Sequence, residues 1–409
     1  MKMNTKVLGA TALASGLFAV SSLAIASGPD ILSTEPIFRS ETVSTVETPA
    51  PVPVPAIAPI ELEPESNFTV TFNGRTGLML GFHTGDITAP AGVATAGSLT
   101  NTGLLNAPAA THTENDYWSM STNYTRFGFT AAGDTALGPL TARLEGDFNG
   151  TNNNFRIRHA YGEVGSILAG QTWSLWNDGH PYISYWDWNG DALSPGNNIA
   201  RRLQLRYSFE PVPGMKAAVA VEDPGAGTDT GFYDITANVQ FQAGPAKITA
   251  SALYTFDDKN TIFVPATTVL HDEEGFALAG SAQFDLEGMD ATVMGVISDK
   301  SNAGFRGGIM DSRTASASIA TTGFGAIWGA GGSLSGDLSD QVTWYAGGSY
   351  TSSSDIVDFE AIYGTGALAW SPMPQYTITG QVVYEQLNRP TAAIDSEAWS
   401  FLNYWIYKF

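Results

Sequence analysis

The chain of 409 residues contains no cysteine. Disulfides, thiolate nucleophiles and cysteine-bound metals are therefore excluded, and an oxidising compartment costs the protein nothing. Histidine is scarce: His83, His112, His159, His180 and His271 are dispersed, and no zinc spacing arises. Basic charge is also short, with 19 Lys and Arg against 40 Asp and Glu. Nucleic acid and anionic surfaces are poor partners for such a chain. Beyond residue 26 nothing approaches the roughly 18 to 20 apolar residues that a spanning helix needs.

Catalytic motifs are missing too. "GFGAIWG" (323–329) and "GAGTDTG" (225–231) lack the G-x-G-x-x-G spacing, and no G-x-S-x-G occurs. "DWNGD" at Asp187 starts like a calcium loop, but Asn198 stands at the twelfth position, where the loop needs Glu. No enzyme, cofactor or metal site is expected.

Lys2 and Lys6 precede the apolar run Val7 to Ile25, and Ala24-Ile25-Ala26 is a small-residue cleavage site, so residues 1–26 read as a secretory signal peptide. Residues 27–66, with "PAPVPVPAIAPIELEP", read as an extended Pro-rich periplasmic leader without a core of its own. An exported chain that is 43% hydrophobic is then either soluble or crosses a membrane by strands.

From Asn67 strict alternation begins. Phe68, Val70, Phe72, Leu78, Leu80 and Phe82 share one face, and Thr69, Thr71, Asn73, Arg75 and His83 the other. In Phe232 to Gln242 and Tyr376 to Glu385, rings sit at both ends of the apolar face with aliphatics between, as a bilayer-crossing strand requires. Sixteen such segments follow one another: 68–83, 117–132, 139–149, 154–164, 167–174, 200–210, 215–222, 232–243, 246–256, 275–285, 289–298, 322–334, 341–351, 356–370, 376–385 and 399–409. Long connections (84–116, 175–199, 257–274, 299–321) alternate with short ones such as "GS", "PVPG" and "AGPA". That parity suits a wall with one outward and one periplasmic rim.

The last segment carries Trp399, Phe401, Trp405, Tyr407 and Phe409 on one side. It predicts closure against the first strand, which removes both sheet edges as hydrocarbon demands. The expected architecture is a 16-stranded antiparallel transmembrane β-barrel over 67–409. A terminal Phe with rings at alternate preceding positions also resembles the signal by which the assembly machinery recognises bacterial outer-membrane proteins. Trp405, Tyr407 and Phe409 would carry it.

If the apolar face meets lipid, Arg75, Arg126, Arg143, Arg156, Arg158, Arg202 and Arg206 all point into the lumen from the first six strands. One wall would be basic inside an acidic protein, and guanidinium groups grip carboxylates or phosphates in a fork. Such a wall selects permeants by sign. Glu145 and Asp147 share the face of Arg143, so the alternative is that the arginines pair and only stiffen the wall.

The third connection carries Trp176, Tyr182, Tyr185, Trp186 and Trp188 with Asp178, Asp187 and Asp191. So much aromatic surface should not face water, and folding into the lumen would set the carboxylates opposite the arginines. Packing on the rim or on a neighbouring subunit is the alternative.

Sixteen strands with an inward third loop resemble the general trimeric porins, and "FRIRHAYGEVGSILAGQTWSLW" (155–176) resembles the matching strand-turn-strand of the DcaP-like porins. The resemblance implies homotrimers in the Gram-negative outer membrane and passage of small organic anions such as dicarboxylates. Its positive channel residues map onto Arg156 and Arg158 and onto Arg202 and Arg206. Lipid and lipopolysaccharide would surround the barrel. Members often carry an N-terminal coiled coil, which this Pro-rich leader lacks. Alternation puts His159 on the outer face, where either a subunit interface or a slip of register would explain it. A saccharide channel, with the loop aromatics as a stacking surface, is the competing transport reading. A structural or adhesive barrel is the third.

Overall fold

The computed structural model describes residues 68–85, 116–122, 124–148, 154–183, 185, 201–223, 234–256, 262–264, 267–269, 275–299, 326–353, 359–389 and 394–409. These belong to one compact unit, Ser66–Phe409. The expected signal peptide and leader lie outside the described residues.

Seventeen strands make one sheet. They are β1 (Thr69–Gly85), β2 (Tyr117–Ser121), β3 (Arg126–Thr135), β4 (Gly138–Asp147), β5 (Arg156–Val164), β6 (Ile167–Trp173), β7 (Arg201–Val212), β8 (Met215–Glu222), β9 (Asp234–Ala243) and β10 (Ala246–Thr255), followed by β13 (Gly275–Leu286), β14 (Met289–Asp299), β15 (Ile327–Ser339), β16 (Val342–Ser353), β17 (Phe359–Met373), β18 (Tyr376–Arg389) and β19 (Ile394–Lys408). β11 (Ile262–Val264) and β12 (Thr267–Val269) form a separate hairpin in one long connection.

β2 and β3 both pair with β1, one above the other, and so make a single stave broken at 122–125. Sixteen staves result, each antiparallel to its neighbours. β19 pairs with β1 from Arg75↔Lys408 to Gly85↔Ala398, and the ring closes. All sixteen segments expected from the alternation are present as staves, most of them a few residues longer or shorter at the ends.

Alternation decides which side each residue serves. Val70, Phe72, Leu203, Leu205, Tyr207 and Ile297 are exposed on the outer face, whereas Thr236, Thr249, Ser251, Ser281, Thr351 and Ser400 are buried on the inner one. An apolar outside and a polar inside is the reverse of a soluble barrel, and it is what a strand wall in hydrocarbon requires. Outer rings meet across strands near both rims. Phe82 and Trp118 lie 4.9 Å apart and Tyr384 and Trp399 4.8 Å apart towards the long connections; Tyr376 and Trp405 lie 6.3 Å apart at the other end. Where β5 turns into β6 after only two residues, Gly165 takes φ +55°, a conformation costly for any residue with a Cβ.

Three ladders shift register beside the short turns or strand ends, but β4 and β5 shift higher in the wall. Glu145 faces His159, Gly146 faces Ile157 and Asp147 faces Arg156, so Arg158 is an extra residue on β5. This β-bulge corrects the expected placement of His159. The histidine is buried opposite inward-facing Glu145, with Nδ1 3.0 Å from Thr172 Oγ1. Strict alternation failed there because one inserted residue puts Arg158 and His159 on the same side.

Candidate functional site

The register sets Arg75, Arg126, Asp147 and Arg156 side by side across β1, β3, β4 and β5. One step along the wall, Glu145 lies opposite Gly128 on one side and His159 on the other. Two carboxylates therefore stand among four guanidinium groups. Asp147 takes a two-pronged contact from Arg156 at 3.0 and 2.9 Å, and Arg158 reaches it at 2.6 Å. Glu145 accepts from Arg158 at 3.0 Å and from Arg143, and lies 3.5 Å from Arg126.

Burial divides the cluster. Arg158, Glu145 and Asp147 are almost wholly enclosed, while the side chains of Arg126, Arg143 and Arg156 are 28%, 36% and 35% exposed. Among the described residues, two negative charges cannot neutralise four positive ones. The surplus sits on the three arginines that reach the open side. Arg75 adjoins them in the break of the second stave, where its Nε donates to the Tyr124 carbonyl at 3.1 Å and its guanidinium lies 5.8 Å from the Tyr124 ring centre.

The remaining two arginines of the expected wall lie on β7. Arg202 is buried on β7 opposite Thr172. Arg206 donates to Gln204 at 3.0 Å, to the Trp173 carbonyl at 3.0 Å and to Asp178 at 3.3 Å. Asp178 thus grips one arginine of β7 directly.

The third connection leaves β6 through a 3-10 turn, Leu175–Asn177, capped by the Ser174 side chain, which accepts the Trp176 N–H at 3.2 Å. Glu222 at the end of β8 accepts the Ser174 hydroxyl and the Leu175 N–H, both at 2.6 Å, and the Thr236 hydroxyl at 3.0 Å. Leu175 clusters with Ala218 and Ala220 of β8.

Inner-face side chains then take up the loop backbone in strand order. Asn238 of β9 donates to the Asp178 carbonyl at 2.8 Å. Thr249 of β10 and Gln283 of β13 donate to the Gly179 carbonyl at 3.1 and 2.9 Å. His180 sits between Ser281 (Nδ1, 2.8 Å) and Ser251 (Nε2, 2.9 Å). The Tyr345 hydroxyl of β16 reaches the Tyr182 and Ile183 carbonyls at 3.1 and 2.5 Å. Gly347 is needed beneath Ile183, because a Cβ there would stand 2.4 Å from its carbonyl oxygen.

Burial pushes the His180 imidazole down to about 4, with Lys247 adding repulsion, so it is neutral at pH 7. Residues 174–183 are thereby held along the inner wall from β8 to β16. Trp186, Asp187, Trp188 and Asp191 lie outside the described residues. Below this segment a cavity of about 440 Å³ is lined by Tyr182, Tyr345, Lys247, Gln283 and Ser333, among others.

Glu222, Ser251, Ser281 and Tyr345 carry no sequence signal beyond an inner-face position in the alternation, which they share with dozens of residues, and His180 lies in the third connection, where no period marks it.

Residues 95–404 match the family model described as "Porin subfamily". The chain belongs to this porin family. It is an outer-membrane channel protein, a class defined by passage through the barrel rather than by catalysis. No curated protein matches it. Among solved structures, this porin is similar to the outer membrane channel DcaP of Acinetobacter baumannii, at 15% identity over 84% of this chain and 97% of that one, with a TM-score of 0.64. A loop-deleted OmpT of Vibrio cholerae aligns at 14% identity over 84% and 99%, with a TM-score of 0.58. A trimer form of OmpT aligns at 10% identity over the same shares, with a TM-score of 0.54. At such identities the likeness is one of fold.

Proposed function

We propose that this porin favours small organic anions, dicarboxylates among them, drawn past the arginine cluster of β1, β3, β4 and β5. The observation that carries the reading is the imbalance of charge: four guanidinium groups on two carboxylates, with Arg126, Arg143 and Arg156 still partly exposed. A guanidinium keeps its charge at any pH a cell meets, and its donors suit a carboxylate fork. The segment 174–183 runs along the facing wall, so the continuation through Trp186, Asp187, Trp188 and Asp191 would narrow the passage opposite these arginines. Arg202 and Arg206 extend the basic side towards it.

In this reading residues 1–26 direct export, 27–66 form a periplasmic leader, lipopolysaccharide and lipid surround the barrel, and the functional unit is a homotrimer inserted by the assembly machinery through Trp405, Tyr407 and Phe409. The trimer form of the similar OmpT supports the assembly. Reversal potential in a KCl gradient across a planar bilayer tests the anion preference. Chloride should be favoured in the native channel and less so in the Arg156→Ala/Arg158→Ala double variant. An unselective native channel, or an unchanged double variant, overturns the reading.

A saccharide channel remains the second reading, on one observation. The cavity of about 440 Å³ beneath the loop joins Tyr182 and Tyr345 to amide and hydroxyl side chains, a lining that suits a sugar ring. Block of the current by oligosaccharides, without chloride preference, would favour it.

A further inference from the structure

We propose that Gln171, a polar residue on the outer face of the barrel, is the positioning residue that keeps Arg156 and Arg158 inside the channel by holding the β5 bulge. The argument begins with alternation. On the lower part of β5, Tyr161 faces Arg143 and His159 faces Glu145, both inward, while Ala160 faces outward-pointing Leu144. Counting upward in strict period two would send Arg158 and Arg156 to the outside and Ile157 to the lumen. The structure has the reverse. Ile157 is exposed on the outer face beside Phe155, while Arg156 and Arg158 grip Asp147. The single extra residue at the bulge makes the difference.

Such a bulge interrupts backbone pairing, and in hydrocarbon no water can replace it. The ladder between β5 and β6 ends at Ala160↔Gln171. Directly above that pair the Gln171 side-chain amide donates to the Ile157 carbonyl at 3.0 Å and to the Arg158 carbonyl at 3.2 Å. Its backbone neighbour on the other side is Leu203, an exposed apolar residue. The next two residues of β6 also touch this part of β5. Thr172 bonds His159, and the Trp173 ring lies 5.8 Å from the Arg158 guanidinium.

A side chain outside the barrel therefore sets the charge within it. Because the chain has no cysteine, single cysteines report the facing directly in the assembled protein. A charged, membrane-impermeant thiol reagent should modify Arg156→Cys and spare Ile157→Cys. In the Gln171→Met background, which keeps the length and removes both donors, that contrast should vanish. Chloride preference should drop to the level of the Arg156→Ala/Arg158→Ala variant, while Gln171→Lys, which still donates, should keep it.

Modification of Ile157→Cys in preference to Arg156→Cys overturns the bulge itself. Unchanged labelling and reversal potential in Gln171→Met overturn the role of Gln171. If Gln171→Met does not assemble, an assembled Gln171→Lys with shifted labelling overturns it equally. Only the selectivity arm rests on the anion reading; an unselective native channel defeats that reading and leaves the labelling contrast to decide the placement.

Discussion

The Ser174 hydroxyl donates to Glu222 Oε2 at 2.6 Å, across 48 positions of sequence, while the other carboxylate oxygen takes the next backbone N–H, that of Leu175. One buried carboxylate thus fixes where the third connection departs from the wall. Glu222→Ala would leave three donors enclosed without their acceptor, at a cost of about 2 kcal/mol. The variant should convert to the unfolded gel form at lower temperature than the native barrel. Its single-channel current should also fluctuate more, because the loop is freed at its root. Glu222→Gln keeps one acceptor and should fall between the two.

His180 makes the docking of the same segment depend on pH. Its imidazole is held neutral down to about 4, against about 6.5 for a freely solvated histidine. Once released from between Ser251 and Ser281, the ring would take up a proton at the higher value. Between these limits the released state binds more protons than the docked one, so docking weakens as pH falls from about 6.5 to about 4 and changes no further below that. Current fluctuations should rise through that window, and a His180→Asn channel should lack that rise.

Asp147 and Arg156 predict opposite effects from removing opposite charges. Asp147 is one of two carboxylate partners of the enclosed Arg158, so Asp147→Asn leaves that cation on Glu145 alone and should cost about 2 kcal/mol, the loss of a charged hydrogen bond. The same change adds one unit of net positive charge and should raise chloride preference. Arg156→Ala removes a partly exposed cation; loss of its ion pair should cost less than about 1 kcal/mol while lowering chloride preference. Denaturant midpoints and reversal potentials on the two variants check both signs.

Much of this was readable from the chain. Sixteen segments of period two were visible because lipid outside and water inside impose the pattern on every stave, and Arg126, Arg143 and Glu145 fell on one face by the same rule. The bulge was not readable, since one inserted residue leaves no signature until its partner strand is known. Strict alternation therefore puts His159 on the wrong side, and it puts Arg156 and Arg158 on the inner side without the bulge that places them there. The contacts of residues 174–183 were equally hidden. They join positions up to 163 residues apart, and nothing local to Ser251 or Tyr345 distinguishes them from other inner-face residues.

The last residue offers a way to separate closure from recognition. Phe409 exchanges two backbone bonds with Gly74, N–H to carbonyl in both directions at 3.0 and 2.9 Å, and so extends the β1–β19 ladder by one pair beyond Lys408. Its ring leans over Gly74, where a Cβ would come within 2.7 Å of it, and lies 5.7 Å from the Phe72 ring. Deleting Phe409 removes the bonds and the ring together; Phe409→Ala removes only the ring. Refolded into lipid vesicles without helper proteins, the deletion should lower the closed fraction more than the alanine variant does. In cells, if the ring is what the assembly machinery reads, Phe409→Ala should reach the outer membrane as poorly as the deletion despite folding better in vesicles. Equal yields of Phe409→Ala and native protein in the membrane would confine the residue to closing the barrel.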